Sequence, residues 1–227
     1  MCGRFTLNIP PELLAEIFGL ASIPVYPASY NVAPSQQVPV IRSMADNGQR
    51  ELAFLRWGLV PSWARDPSIG SRMINARAET IQEKPAFRHA IRYRRCIVPA
   101  SGFFEWQVEG GKKQPLYLRI RERSIMGLAG IWEEWKTPEA ALLETFAILT
   151  TTSNRLIEPI HDRMPVILHP REYDLWLDRE VTDPEKLKRL YHPYLSELLE
   201  ICRVSDLVNS PRNNSPACIE PVAAKVP

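Results

Sequence analysis

Short runs of β-branched and aromatic residues, separated by turns rich in proline, glycine and asparagine, constrain the fold of this chain most strongly. Residues 38–42 and 52–57 flank an Asp46-Asn47-Gly48 turn, a pattern that predicts a β-hairpin. Further strands are predicted at 95–98, 102–106, 116–120, 125–132, 145–151 and 201–204. The sequence therefore predicts a β-rich domain.

Helices are predicted at 10–19, before the first of these strands, and at 85–93, 171–177 and 184–191, between later ones. There is no internal repeat and no convincing linker in the sequence. We expect an α+β fold with one domain over residues 1–209. A proline- and asparagine-rich tail over residues 210–227 is expected to be partly loose.

Composition excludes several classes of protein. The 227 residues are 45% hydrophobic and 24% charged with a net charge of +2, as in an ordinary globular domain. No apolar run approaches the length of a membrane span. The four cysteines form no C-x-x-C pair, so neither a zinc site nor a disulfide framework is indicated. We expect a cytoplasmic protein without a metal, a cofactor or a membrane partner.

The first residues, Met1-Cys2-Gly3-Arg4, suggest covalent chemistry. Removal of Met1 would leave Cys2 with a free α-amine next to its thiol. These groups titrate near ~8 and ~8.5, so both have a nucleophilic fraction at neutral pH. With an aldehyde, the amine forms an imine and the thiol closes on it to give a five-membered thiazolidine. Alternatively, an N-terminal cysteine attacks an amide carbonyl with its own amine as the base.

Six sequence islands in order carry a family resemblance. They are Met-Cys-Gly-Arg-Phe at 1–5, Tyr-Asn-Val-Ala-Pro at 30–34, Trp-Gly-Leu-Val-Pro at 57–61, Ile-Asn-Ala-Arg-Ala-Glu-Thr at 74–80, Gly-Phe-Phe-Glu-Trp at 102–106 and Ile-His-Asp-Arg-Met-Pro at 160–165. Together they resemble the SOS response-associated peptidase (SRAP) family over most of the chain. The resemblance implies a mostly antiparallel β-barrel-like core with peripheral helices.

The resemblance also implies a function: binding single-stranded DNA that contains an abasic site, and crosslinking to the aldehyde of that site. The implied catalytic residues are Cys2 as nucleophile, Asn75 to position its amine, Glu105 to move protons and His161 to open the sugar ring. The implied DNA-binding residues are Arg4, Arg77, Arg163, Thr150 and Trp63. A monomer is expected. The segment between Trp63 and Asn75 is longer and more polar than the family pattern.

Two alternatives remain open at this point. The first is a peptidase or amidohydrolase with Cys2 as an N-terminal nucleophile, although Arg4-Phe5 stands where amidotransferases continue with an apolar residue and a glycine. The second is a non-covalent reader of modified bases in which Cys2 is incidental. Strand-cleaving lyase chemistry from the imine is a further branch of the crosslinking hypothesis.

Overall fold

The structure is a computed structural model and describes residues 2–44, 48–122, 125–137 and 139–222. Three of the predictions fall wholly or partly outside these residues. They are the removal of Met1, the part of the hairpin turn formed by Asp46 and Asn47, and the end of the tail at 223–227. No helix within the described ranges is long and apolar enough to cross a membrane.

Strands dominate the described residues, as the sequence predicts. The strands are β1 (Phe5–Leu7), β2 (Ser29–Val32), β3 (Gln37–Ser43), β4 (Arg50–Trp57), β5 (Asn75–Arg77), β6 (Arg95–Ala100), β7 (Gly102–Glu109), β8 (Lys112–Ile120), β9 (Met126–Lys136), β10 (Leu142–Thr152), β11 (Arg163–Pro165), β12 (Ile167–Leu168) and β13 (Leu199–Arg203). The α-helices are α1 (Pro11–Phe18), α2 (Ala90–Tyr93) and α3 (Tyr173–Leu177).

Five of the strands close into a barrel in the order β10-β4-β3-β6-β9, with β9 pairing back onto β10. Four of the pairings are antiparallel, whereas β10 runs parallel to β4, with Phe146 opposite Trp57. The short strands β5 and β11 pair with β10 beyond the barrel, and β12 pairs with β9. The predicted α+β fold with a mostly antiparallel barrel is confirmed.

A second sheet, in the order β13-β8-β7-β1-β2, carries the N-terminus. Alternate residues of the barrel strands pack into two different hydrophobic cores, because successive side chains of a strand point to opposite faces. Ile41 and Leu149 lie in a core with Trp176 of α3. Val40 and Ile148 lie in a core that also contains Cys2. The N-terminal cysteine is thereby packed between the barrel and the second sheet.

Two of the predicted helices differ in the structure in length or type. Helix α1 agrees with the prediction, and Gly19 ends it in the left-handed conformation with φ of 63°. The prediction of a helix over 85–93 is wrong for residues 85–89, because the Lys84 carbonyl accepts from both Phe87 and Arg88 and the segment turns irregularly before α2. Residues 184–190 form a 3₁₀ helix instead of an α-helix.

Arg95, the first residue of β6, has a structural role in the fold. Its side chain is buried and donates to the carbonyl oxygens of Trp176 at 2.6 Å and Ile91 at 2.9 Å. Burial lowers the pKa of this guanidinium. Its role is to tie β6 to α2 and α3.

Residues of the C-terminal segment 210–222 contact the domain. The Asn31 side chain donates to the Asn213 carbonyl at 2.8 Å, and the Tyr30 amide donates to the Asn214 side chain at 2.7 Å. Cys218 is fully buried. The tail therefore covers the free edge of β2, which would otherwise expose unpaired backbone groups.

Candidate active site at the N-terminal cysteine

Cys2 lies directly before β1 and is fully buried. Strand β1 pairs with β7 through Phe5 and Phe103, and the Phe104 amide donates to the Arg4 carbonyl at 3.0 Å. Glu105 follows on β7 and is close enough for its negative charge to act on the Cys2 thiol. Pairing of the two strands thus brings the predicted nucleophile beside the predicted proton carrier.

Burial controls the protonation of both groups. It raises the pKa of the Cys2 thiol far above its ordinary value, and the charge of Glu105 raises it further. Burial also raises the pKa of Glu105, which is only 3% exposed. Burial thus shifts both groups towards their neutral, protonated forms compared with exposed groups of the same kind. A carboxyl with a raised pKa keeps its proton up to a higher pH than an exposed one, so its protonated form is available closer to neutrality, which suits acid–base work.

Asn75 reaches the same place from the barrel side. Strand β5 pairs parallel with β10, with Asn75 opposite Ile148. The Asn75 amide nitrogen donates to the Cys2 carbonyl oxygen at 2.9 Å. Its side-chain oxygen is buried and has no hydrogen-bond partner within the described residues. This oxygen is therefore an unused acceptor beside the Cys2 backbone, suited to an N–H donor.

His161 lies in the segment that joins β10 to β11. The Arg163 amide donates to His161 Nδ1 at 3.0 Å, and Asp162 Oδ1 lies 2.8 Å from the same nitrogen. Burial lowers the pKa of His161, while the carboxylate of Asp162 opposes this effect. Asp162 also acts electrostatically on Glu105, which links His161 to the Cys2 neighbourhood.

Arg163 is committed to contacts within the protein. It is only 8% exposed, and its two terminal nitrogens donate to the two carboxylate oxygens of Glu79 at 2.7 and 2.8 Å. It also donates to the Thr150 carbonyl at 2.6 Å. Thr150 is fully buried, so its hydroxyl is not exposed for the DNA contact that the resemblance implies. Sequence reasoning assigned no role to Glu79, although it lies within the Asn75 island.

Arg4 is likewise held by the protein. It donates to the Asn31 side chain at 2.8 Å and to the Val208 carbonyl at 2.7 Å, which ties the N-terminal segment to the 3₁₀ helix Asp206–Asn209. Burial lowers the pKa of its guanidinium.

Arg77 and Trp63, unlike Arg163 and Thr150, are exposed to solvent. Arg77 is exposed at the end of β5, and its side chain has no hydrogen bond or ion pair within the described residues. Trp63 is 59% exposed in the loop after β4. The neighbouring Ala64 carbonyl accepts from the Trp135 indole at 2.7 Å, which fixes that loop. Of the residues predicted to bind DNA, these two are the most accessible.

The site residues that the sequence predicts thus separate into a buried group and an exposed rim. Cys2, Asn75 and Glu105 meet where β1, β5 and β7 approach one another, and His161 is linked to them through Asp162. Within the described ranges, no three His, Cys, Asp or Glu residues are grouped so that they could hold a metal ion.

The chain is similar to known proteins over nearly its whole length. The chain is 46% identical over 224 residues to the abasic site processing protein YoqW of Bacillus subtilis, covering 97% of this chain and 99% of the relative. It is 33% identical over 272 residues to the abasic site processing protein HMCES of Pongo abelii, covering 98% of this chain and 76% of that protein.

A crystal structure of a protein from Bacteroides thetaiotaomicron has the same fold. Its TM-score is 0.88 at 30% identity, with 98% of this chain and 100% of the other chain covered. The family described as SOS response associated peptidase (SRAP) matches residues 1–211, which include every predicted site residue. The chain therefore belongs to the SRAP family.

Proposed function

We propose that this protein recognises abasic sites in single-stranded DNA and bonds to them covalently through Cys2 after Met1 has been removed. The observation that carries the proposal is the meeting of Cys2, Asn75 and Glu105 at one buried point. The relatives named abasic site processing proteins support the same lesion as the target.

The first step would open the sugar. An abasic deoxyribose is mainly a cyclic hemiacetal, and its aldehyde appears only when the bond between C1 and the ring oxygen breaks. His161 would take the proton from the C1 hydroxyl and return a proton to the ring oxygen. An imidazole suits this exchange because it is acid or base near neutral pH. The products are a free aldehyde and a hydroxyl group.

The second step would join the amine of Cys2 to the aldehyde. The amine adds to the carbonyl carbon and gives a carbinolamine. The Asn75 side-chain oxygen, which has no partner in the described structure, would accept an N–H of this amine and orient it. Glu105 in its protonated form would donate to the carbinolamine hydroxyl, so that water leaves and an iminium ion remains.

The third step would close the ring. Glu105, now a carboxylate, would take the proton of the Cys2 thiol, whose raised pKa means that it needs a base nearby. The thiolate then attacks the iminium carbon, and a carbon–sulfur bond completes the thiazolidine. Glu105 is again protonated, and the net reaction is aldehyde plus aminothiol giving thiazolidine and water.

DNA would be held at the exposed rim. Arg77 would contact a phosphate and Trp63 would stack on a base, because these side chains are accessible in the described structure. Arg4 and Arg163 would act mainly by holding the site together, since their terminal nitrogens already donate inside the protein. The affinity would be independent of sequence and sensitive to salt.

Intact mass spectrometry tests the proposal. The purified protein is measured before and after incubation with a single-stranded oligonucleotide that carries one abasic site. We expect a protein without Met1 and a new species equal to protein plus oligonucleotide minus one water. Cys2→Ala should form no such species, whereas the matched variant Cys96→Ala, also at a buried cysteine, should form it.

Other outcomes would support the alternatives. Retention of Met1 together with no adduct would refute the aminothiol mechanism. Hydrolysis of a peptide or of glutamine that requires Cys2 would support an N-terminal-nucleophile hydrolase. Unchanged DNA affinity in Cys2→Ala, with no adduct in either protein, would support a non-covalent reader. Cleaved oligonucleotide in place of the adduct would indicate lyase chemistry from the imine.

A further inference from the structure

The Nδ1 atom of His161 lies between two groups that make opposite demands on it. The backbone N–H of Arg163 donates to this nitrogen at 3.0 Å, which requires Nδ1 to have no proton. The carboxylate oxygen of Asp162 lies 2.8 Å from the same atom, which is favourable only when Nδ1 has a proton to donate. The two contacts therefore correspond to different protonation states of one ring.

Each state gives the other ring nitrogen a different role. When the Arg163 amide donates to Nδ1, the proton of the neutral ring is on Nε2, and Nε2 is a donor. When Nδ1–H donates to Asp162, Nε2 carries a lone pair and is a base. The hydrogen bond at one nitrogen thus determines the chemistry at the other.

Hydrogen bonds hold the backbone around His161 and Asp162, so the fold fixes the main-chain positions from which the ring and the carboxylate extend. The His161 amide donates to the Ile157 carbonyl at 2.9 Å, and the Ser153 amide donates to the Asp162 carbonyl at 3.0 Å. The Asn154 side chain accepts from the Ile157 amide at 3.0 Å and donates to the Tyr194 carbonyl at 2.7 Å.

Several charged groups face this ring and its carboxylate. The guanidinium of Arg163 disfavours a positive ring but is itself paired with Glu79. Glu105, on β7, interacts with Asp162. The α-amine that Cys2 would carry would also disfavour a positive ring. The side chain of Asp162 is 84% exposed, and it is the negative group in direct contact with the ring.

We propose that Asp162 is a positioning residue that holds the proton on Nδ1 of His161, leaving Nε2 as the base for opening the abasic sugar. The inference rests on the proposed function and deepens it. Nε2 takes the proton of the C1 hydroxyl, and the resulting imidazolium is stabilised by the Nδ1–H contact with the Asp162 carboxylate. Nε2 then gives that proton to the ring oxygen as its bond to C1 breaks. The Arg163 amide competes for Nδ1 and favours the opposite tautomer.

Two substrates separate this role from a general loss of function. The first is a single-stranded oligonucleotide with a natural abasic site, which must be ring-opened. The second has an aliphatic aldehyde at the same position and no hydroxyl with which to cyclise. The variant is Asp162→Asn, which keeps the shape and removes the charge. Glu158→Gln is the matched control, because it removes an exposed charge from the same loop.

We expect Asp162→Asn to crosslink the natural site on the order of tenfold more slowly at neutral pH. It should crosslink the non-cyclising aldehyde at the wild-type rate, because that substrate needs no ring opening. Asp162→Glu should recover part of the loss, and Glu158→Gln should match the wild type on both substrates. The acidic limb of the pH–rate profile should move to lower pH in Asp162→Asn, because the carboxylate stabilises the imidazolium.

Nitrogen-15 NMR of His161 gives a readout that does not depend on DNA. In the wild-type protein the Nδ1–H form should be populated beside the Nε2–H form that the Arg163 amide favours, whereas Asp162→Asn should shift the ring towards the Nε2–H form. Identical spectra and pH profiles in Asp162→Asn and Glu158→Gln would overturn the inference, as would equal losses on both substrates. A wild-type protein that fails to crosslink either substrate would refute the proposed function instead, and the NMR comparison would still decide the role of Asp162.

Discussion

The two sides of the site, here called the barrel wall and the sheet wall, differ in how their charged groups are stabilised. The barrel wall is formed by Asn75, Glu79, Thr150 and Arg163. In it, the buried guanidinium of Arg163 donates two parallel hydrogen bonds to the Glu79 carboxylate. In the sheet wall, formed by Cys2 and Glu105, the Cys2 thiol lies in an apolar core and the buried Glu105 carboxyl is close enough to act on it.

The two glutamates show the consequence of this difference. Hydrogen bonding to Arg163 lowers the pKa of Glu79, whereas burial raises the pKa of Glu105. The barrel wall thus contains an ion pair that is expected to stabilise the fold, whereas the sheet wall contains a buried carboxyl whose charged form is expected to destabilise it.

Removing the cation of the barrel wall should have the largest effect on stability. Arg163→Ala leaves Glu79 and the Thr150 carbonyl without their donor, and should cost about 2 kcal/mol of the free energy of unfolding. Arg163→Lys should recover only part of it, because an ammonium cannot reproduce the two parallel hydrogen bonds. Urea unfolding at neutral pH measures the difference.

The pair of Arg163 and Glu79 predicts that the free energy of unfolding depends on pH. Because the pKa of Glu79 is lowered in the folded protein, its stabilising contribution is present above the unfolded pKa and is lost as the pH falls through the folded pKa. The gap between wild type and Arg163→Ala should therefore narrow in acid. A gap that stays constant down to the folded pKa would contradict the assignment of stability to this pair.

On the sheet wall, the ionised carboxyl is expected to lower the stability of the folded protein instead of raising it. Glu105→Gln removes a buried carboxyl whose folded pKa is raised, so it should increase Tm at neutral pH by a few degrees, the shift that ~1 kcal/mol gives in a domain of this size. The cost of burying the charged form is fully present above the folded pKa and vanishes below the unfolded pKa. The gain should therefore disappear in acid, while crosslinking is slowed at neutral pH.

Thermal unfolding of Glu105→Gln across this pH range, beside the exposed control Glu158→Gln, makes the test. A lower Tm for Glu105→Gln at neutral pH would show that Glu105 stabilises the fold, and the contrast between the walls would fail.

The smallest effect is expected at the rim. Arg77→Ala should leave Tm unchanged, because the side chain is exposed. It should lower the salt dependence of binding to single-stranded DNA by about 0.7 in the slope of log K against log salt, the contribution of one phosphate contact. Arg77→Lys should keep most of that slope. Fluorescence anisotropy over a range of salt concentrations measures it, and an unchanged slope in Arg77→Ala would exclude a phosphate contact there.

Local patterns in the sequence predicted much of the fold. The hairpin strands β3 and β4 and the helix α1 lie close to their predicted bounds, because alternation, turn residues and a terminal Gly19 act over a few residues. The parallel pairing of β4 with β10 was not predicted, because it joins segments far apart in the chain and leaves no local pattern. The same holds for β5 on β10, which positions Asn75.

The site was predictable in its residues but not in their partners. The islands indicated Cys2, Asn75, Glu105 and His161. They did not reveal that Arg163 is paired with Glu79, since the two are 84 positions apart. Asp162 follows His161 directly, so the sequence contained that signal. Its meaning depends on the distance to Nδ1, which only the structure gives.

The closure of the barrel also bears on the order in which the chain folds. The hairpin β3–β4 has local contacts and can form early, whereas the pairing of β4 and β5 with β10 must wait for long loops to close. Asn75 and the segment containing His161 are aligned by β10, so partly folded chains in which β10 has not docked have no assembled site. Competence to react with DNA should therefore appear late in refolding, together with the slow formation of nonlocal strand pairs.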